Sequence, residues 1–584
     1  RPPSEAPALP PLRPTTRPTR AVRPRLGVAV GFAILSACTD DASLGGSLGD
    51  AAGGRDGGDT TTSPSSGAGG APATEPGEGG PPEESCPDPR RTRPTGGRTR
   101  YLSLRGATSD GNCDDPDYGS EHAPWGRWSQ ARACLRAGDT LLIAPGVYDS
   151  GPTGVFEGQS LRLDGDGADP IWVASQVEVA PGEEKSVTFR GTFAAHGQGY
   201  VLKGIEFVGP TGSKNVILQI PGRHIELQDV FVHGDPERDV PCPGNTFENG
   251  RCPRVEPQFD GIKILSDSSL GGRVEDISIF DSEVAFCTED CIDVTGAKGL
   301  RYQGNAFHDC RTMQIKGGTE DVVIEANTFV HMWQGPQGAS MSCQGTRDYC
   351  GSPDIVAMPV DERFVARGVR MYNNLFADIG FAVINAAGWR DVDVAHNTFM
   401  LDRGLEGVIR TGSAGFDFYD EATASACAAA PRGQVGGPSF AQCDACSHSN
   451  AGCTRVDYAT TGFRFRQNIV SAPMVPYTLR EASPAPVAAV DNVFWPLSAA
   501  RVRGTSCGGL NDTCGALTAD NWVEEPGLVS DSASYSRDSV RLEADAFPVD
   551  RGASLSAPEL CRDLFGHIRD GSPDLGAYER LVSP

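Results

Sequence analysis

The sequence predicts an all-β chain wound as a single-stranded parallel β-helix, and three observations carry that expectation. Short runs of alternating apolar and polar residues recur from Val187 onward, a turn follows each run, and an Asn returns at a nearly constant interval. The runs include "YVLKGIEFVG", "HIELQDVFVHG", "DISIFDSEV", "GLRYQGNAFHD", "DVVIEANTFVH", "VRMYNNLFAD", "DVDVAHNTFM" and "FRFRQNIV". The Asn stands at Asn305, Asn327, Asn374, Asn397, Asn468 and Asn492. Gaps of 327 − 305 = 22, 397 − 374 = 23 and 492 − 468 = 24 residues fit one coil each, whereas 374 − 327 = 47 and 468 − 397 = 71 leave room for loop insertions. Stacked side-chain amides, hydrogen-bonded from coil to coil, explain why one polar residue type repeats inside an apolar scaffold.

The elements follow in order. Residues 1–37 read as a signal segment, with "RAVRPR" ahead of the apolar "LGVAVGFAILSA", a stretch too short to span a bilayer comfortably. Leu35-Ser36-Ala37-Cys38 resembles the lipobox of bacterial lipoproteins, which implies lipidation of Cys38 and a place in the bacterial cell envelope, at the outer membrane or cell surface. Residues 38–98 are rich in Gly, Ser, Thr, Pro and acidic residues without apolar period, the composition of a flexible tether. Residues 99–186 form an N-terminal cap and first strands. Here a helix over 130–136 is expected, with Ser129 as its cap and Gly138 at its end, before the strand "TLLIAPGVY". Residues 187–500 hold the coils, roughly ten of them at a period near 22. Residues 501–584 form an irregular C-terminal cap, since a solenoid must cover its open ends.

Charge and cysteine usage agree with export. The chain carries a formal charge of −25, and removing residues 1–37, with six Arg and one Glu, gives −25 − 5 = −30. Such a balance argues against nucleic acid as a partner. Eighteen cysteines suit an oxidising compartment. Setting Cys38 aside leaves an odd number, so one thiol stays outside the intrachain pairs. The expected local pairs are Cys113/Cys134, Cys242/Cys252, Cys343/Cys350 and Cys507/Cys514, with the leftover thiol among Cys287, Cys291 and Cys310. "CDACSHSNAGC", from Cys443 to Cys453, has zinc-like spacing, but paired cystines fit an exported chain better. "DGDGADP" at Asp164 begins like a calcium loop and lacks its closing Glu, so a turn is expected.

The opening strand "GDTLLIAPGVY", the "NTF" and "NNLF" turns and the closing "DLGAYER" together resemble the right-handed parallel β-helix proteins of the pectin lyase-like superfamily, over about Tyr101 to Glu579. The resemblance implies a right-handed coil and an exported protein acting on or binding carbohydrate. A shared solenoid does not by itself fix the chemistry.

Candidate functional residues come from aligning three coils, "FDGIKIL", "EDCIDVT" and "CRTMQIKGG". Ile262/Ile264, Ile292/Val294 and Met313/Ile315 then point inward. Lys263, Asp293 and Gln314 stand outward in one column, and Asp260, Asp290 and Arg311 in a second, with Lys316 beside both. Lysine is scarce in this chain, and three of its six lysines, Lys263, Lys298 and Lys316, lie on these coils. A lysine near acids and an apolar wall can lose its proton, which arginine does not do.

Two chemistries and one scaffold reading share these residues. In a polysaccharide lyase, Asp260, Asp290 and Asp293 would hold Ca2+ against a uronate carboxylate, and Lys316 or Arg311 would take the C5 proton, with Lys263 a further catalytic candidate. Glu289, Gln314 and His308 would contact the substrate. In a hydrolase, the order "FDG…EDC" resembles polygalacturonase motifs and implies acid and base roles for Asp260, Glu289 and Asp290. Phe259, Lys263 and Arg311 depart from that pattern, and His308 is displaced from the position of the family's His. In the scaffold reading the outward residues are a solvated face of a non-catalytic, glycan-binding or structural protein. All three readings expect a monomer with polysaccharide as partner and membrane contact only through the lipid.

Overall fold

The computed structural model describes residues 88–150, 155–156, 160–180, 183–209, 216–237, 258–265, 273–338, 341–342, 358–359, 362–401, 407–419, 453–471, 479–480, 488–495, 521–522, 524–528, 541–543, 545–552, 561–569 and 573–579. Cys38, the pairs Cys242/Cys252, Cys343/Cys350 and Cys507/Cys514, and the Cys443 to Cys453 segment except Cys453 itself lie outside the described residues. The described residues belong to one compact unit of the chain.

The chain forms a right-handed parallel β-helix. Each coil contributes short strands to three faces. The first face is one long parallel sheet that runs from Thr99–Ala107 through Thr140–Ile143, Ile171–Ser175 and Gly197–Lys203 to Ala488–Val490. Nine of its strands fall between positions 187 and 500, close to the expected number of coils. The second and third faces make one larger parallel sheet, because Glu283–Thr295 and Ala306–Lys316 run without a break from one face to the other. In a separate three-stranded sheet, Ser413–Tyr419 pairs antiparallel with Cys453–Ala459 and parallel with Met341–Ser342.

Alternation inside each strand builds the core. Ile225/Leu227, Ile277/Ile279, Leu300/Tyr302, Val322/Ile324 and Val369/Met371 are all buried and stack in register from coil to coil. Phe307, Phe329, Phe376 and Phe399 stack with ring centroids 5.0, 4.8 and 5.0 Å apart. Beside them runs the Asn ladder. Asn305 donates from its backbone and side chain to Asn327 Oδ1 at 2.9 and 3.0 Å, and Asn327 does the same to Asn374. The pattern continues through Asn397, Asn468 and Asn492 to Asn521, a rung beyond those the spacing identified. Ahead of each ladder Asn from Asn305 to Asn492 the chain turns the corner through a left-handed residue, such as Gly304 at φ 74° or Ala326 at φ 53°.

The ends differ in detail from expectation. The helix is Trp128–Cys134, and its N-cap is Arg127 rather than Ser129. Gln130 reaches back with its side-chain oxygen to the Arg127 and Gly126 amides at 3.0 and 3.1 Å, which fixes the start upstream of Ser129. Thr140–Ile143 and Gly146–Asp149 are separate strands on different faces. Cys113 and Cys134 are bonded as expected. The "DGDGADP" segment is a turn, with the Ala168 amide donating to Asp166 Oδ1 at 2.9 Å. Part of the C-terminal stretch docks on the coils: Arg569 bonds Glu579 Oε2 at 3.0 Å and Asn373 Oδ1 at 2.8 Å, and the Ala577 amide bonds Thr398 Oγ1 at 3.0 Å.

Candidate functional site

The two continuous strands create the site. Glu283–Thr295 pairs with Ala306–Lys316 from Glu283/Ala306 to Thr295/Lys316, yet carries extra residues between Cys287 and Ile292. A bulge of this kind bends the strand and re-aims its side chains. Inside the corner, Cys291 is bonded to Cys310, and the buried Cys287 donates its thiol to Ala285 O at 3.4 Å. Gly261 lies against this corner: a Cβ there would meet Cys287 Sγ at 2.7 Å and Cys291 O at 2.8 Å. The "FDG" motif therefore owes its Gly to close packing.

Ile262, Ile264, Ile292, Val294, Met313 and Ile315 are fully buried, as the alternation requires. Lys263 is the register partner of Asp293, and Asp293 of Gln314, so the first expected column is present. The second is not. Asp290 faces Thr312, because the extra residues in the bulge shift the register, and Arg311 instead meets Glu289 at 3.3 Å. Asp260 lies next to Asp290, whose carbonyl accepts from the Gly261 amide at 2.8 Å.

Charge in this cluster is arranged around two ammonium groups. Lys263 Nζ lies 2.6 Å from Asp293 Oδ2 and 3.1 Å from Asp260 Oδ2. Lys316 Nζ lies 2.9 Å from Asp293 Oδ1 and also donates to Gln314 Oε1. The carboxylates sit deeper than expected: the Asp293 side chain is 5% exposed, against 28% for Lys263 and 16% for Lys316. Asp290 is buried rather than solvated, and its Oδ1 accepts no hydrogen bond within the protein.

Burial and charge then split the acids. Burial raises Asp290 well above the usual carboxylate range, and the neighbouring Asp260, Asp293 and Glu289 raise it further. Burial also raises Asp260, against the pull of Lys263. Burial acts on Asp293 in the same sense, but Lys316 and Lys263 outweigh it and hold the group at about 2. For the lysines burial favours the neutral form, and the carboxylates overcome it, so both are held above the usual ammonium range. The expectation of a lysine that loses its proton easily is thus reversed, because each ammonium touches an ionised Asp293.

Calcium does not fit these residues. The Lys263 ammonium already bridges Asp260 and Asp293, and among the described residues no three His, Cys, Asp or Glu side chains gather as a metal-ligand group. His308 lies elsewhere, on the second-face part of its strand. It bonds Glu283 at 3.0 Å and Asp309 at 2.9 Å, and although burial opposes the charge, those two acids raise it to about 9.

Residues beyond the three aligned coils extend the surface. The Arg311 guanidinium lies over Trp333 at 4.9 Å, Trp333 stacks on Phe381 at 5.1 Å, and Arg410 lies 5.8 Å from the Phe381 ring. The outward column continues from Gln314 through Gln337 and Asn385 to Arg410. "MWQGPQG" holds the one readable signal for this extension, an aromatic residue just past a core run.

No protein-family model matches the chain, and no curated protein does either. Among solved structures it is similar to pectate lyase Pel9A, with 16% identity over 83% of this chain and 96% of that one, at a TM-score of 0.36. A rhamnogalacturonan lyase gives 12% identity over 68% and 87% at 0.34. A lacto-N-biosidase from Eubacterium ramulus gives 11% over 68% and 63% at 0.36. At these scores the likenesses carry no argument about residues or chemistry.

Proposed function

We propose that the protein binds an acidic, uronate-type polysaccharide on this outward surface, with Lys263, Lys316 and Arg311 neutralising a uronate carboxylate. One observation carries the reading. In a chain of formal charge −25, the partly exposed Lys263 and Lys316 meet at the buried Asp293, and the partly exposed Arg311 lies on the paired strand against Glu289. Cations so placed attract an anion that the rest of the surface repels.

The address belongs to the same proposal: lipid on Cys38 and a tether over 38–98 hold the β-helix at the bacterial cell surface, where polysaccharide is met. Detergent-phase partitioning of a Cys38→Ser variant tests it, and retained partitioning refutes the anchor. Function is tested on polygalacturonate and alginate, with and without chelator. Retention on immobilised uronate supports binding, and ultraviolet-absorbing unsaturated product identifies elimination. New reducing ends without that absorbance point to hydrolysis. Failure to bind any polyuronate refutes the proposal.

A further inference from the structure

The outward column does not present the same chemistry along its length. Gln314, Gln337, Asn385 and Arg410 are successive register partners on the third face. At about 4.8 Å between strands, Arg410 lies about 14 Å along the axis from the Gln314 and Lys316 rung. Cations flank this stretch, with Lys316 bonded to Gln314 on one side and, on the other, Arg410, whose next register partner is Arg480. Between them in the column, among the described residues, stand the half-buried amides of Gln337 and Asn385. A primary amide donates and accepts, which suits sugar hydroxyls, but it carries no charge to offset a carboxylate.

Two further features keep the poles apart and fixed. The Trp333–Phe381 stack runs between the guanidinium of Arg311 and that of Arg410, so ring contacts hold each cation at its own end. Beside Arg311, whose carbonyl accepts the Gln334 amide at 3.0 Å, the Gln334 side chain is 2% exposed and its Nε2 donates no hydrogen bond within the protein. This neutral donor, too, belongs to the stretch between the poles.

We infer that this column selects an acidic heteroglycan in which neutral sugars separate the carboxylated ones, in preference to a homopolymer of uronate. The inference rests on the proposed binding of acidic polysaccharide at the lysine cluster and adds to it the spacing of charge in the ligand. A homouronate would set a carboxylate against the Gln337 and Asn385 amides, where the column, among the described residues, supplies no cation. A glycan charged at intervals places its carboxylates at the two poles and its hydroxyls between them.

The test is calorimetric titration of the full chain with two probes of equal length, an oligogalacturonate and an oligosaccharide of alternating glucuronate and N-acetylhexosamine. The wild type should bind the alternating probe more tightly. Arg410→Gln should weaken that binding about tenfold, the scale of one charge-assisted hydrogen bond, and weaken oligogalacturonate binding by a smaller factor. Lys316→Gln should weaken both. Asn385→Lys, which adds a cation between the poles, should raise oligogalacturonate affinity, a gain that misfolding cannot mimic. Tighter wild-type binding of oligogalacturonate, or an equal effect of Arg410→Gln on both probes, overturns the spacing rule alone. Absence of binding to either probe overturns the underlying proposal as well.

Discussion

Asp293→Asn is the most informative single change, because one carboxylate holds two ammonium groups at 2.6 and 2.9 Å. Its pKa falls from 3.8 to about 2 in the folded protein. At 1.36 kcal/mol per pKa unit this corresponds to about 2 kcal/mol of stability. Because the folded value is depressed, that contribution is present above pH 3.8 and is lost as pH falls toward 2. The amide also strands two partly buried cations, and breaking a buried ion pair by removing one partner costs about 3–5 kcal/mol. The expected loss at pH 7 is therefore about 3–5 kcal/mol, measured by urea unfolding of the two proteins side by side. Lys263 keeps Asp260 at 3.1 Å, whereas Lys316 keeps only the Gln314 oxygen, so Lys316 should titrate at lower pH in the variant. Adding Lys316→Met removes the stranded charge and should recover part of the loss. A variant within about 0.5 kcal/mol of wild type at pH 7 would show that Asp293 does not organise the cluster, the usual result for exposed ion pairs.

Three further outcomes follow from the same geometry. Asp290→Asn should leave stability at pH 7 unchanged or raised, since a raised acid contributes stability that is lost as pH rises through its folded value; a loss above about 1 kcal/mol in thermal unfolding would contradict a raised Asp290. His308, raised to about 9, contributes stability that is complete below its unfolded value of 6.5 and lost as pH rises through about 9. His308→Gln should flatten the stability profile across that window, and an unchanged slope would remove the ion pairs with Glu283 and Asp309 from the account. Asn374→Ala strands the Asn327 backbone and side-chain donors, both bonded to Asn374 Oδ1, and should cost at least about 3 kcal/mol in denaturant unfolding; a cost below about 1 kcal/mol would show that the ladder is not cooperative.

The sequence by itself determined the coil, its inward residues and the Asn ladder, because each depends on local alternation or on a period near 22 that survives in the chain. It also placed Lys263, Asp293 and Gln314 in one column, since strands in register copy their alternation from coil to coil. Tertiary structure decided the rest. Two extra residues in Glu283–Thr295 exchanged Arg311 for Thr312 opposite Asp290, and such a bulge has no signature in apolar periodicity. The Cys291–Cys310 bond depended on which of three neighbouring sulfurs met inside a corner. The protonation states followed from burial under adjacent coils, which turned an expected calcium cradle and a neutral base into an ammonium pair around Asp293. Arg410 joined the column from beyond insertions of irregular length, so its place was set by strand pairing through Asn385 and not by any spacing in the chain.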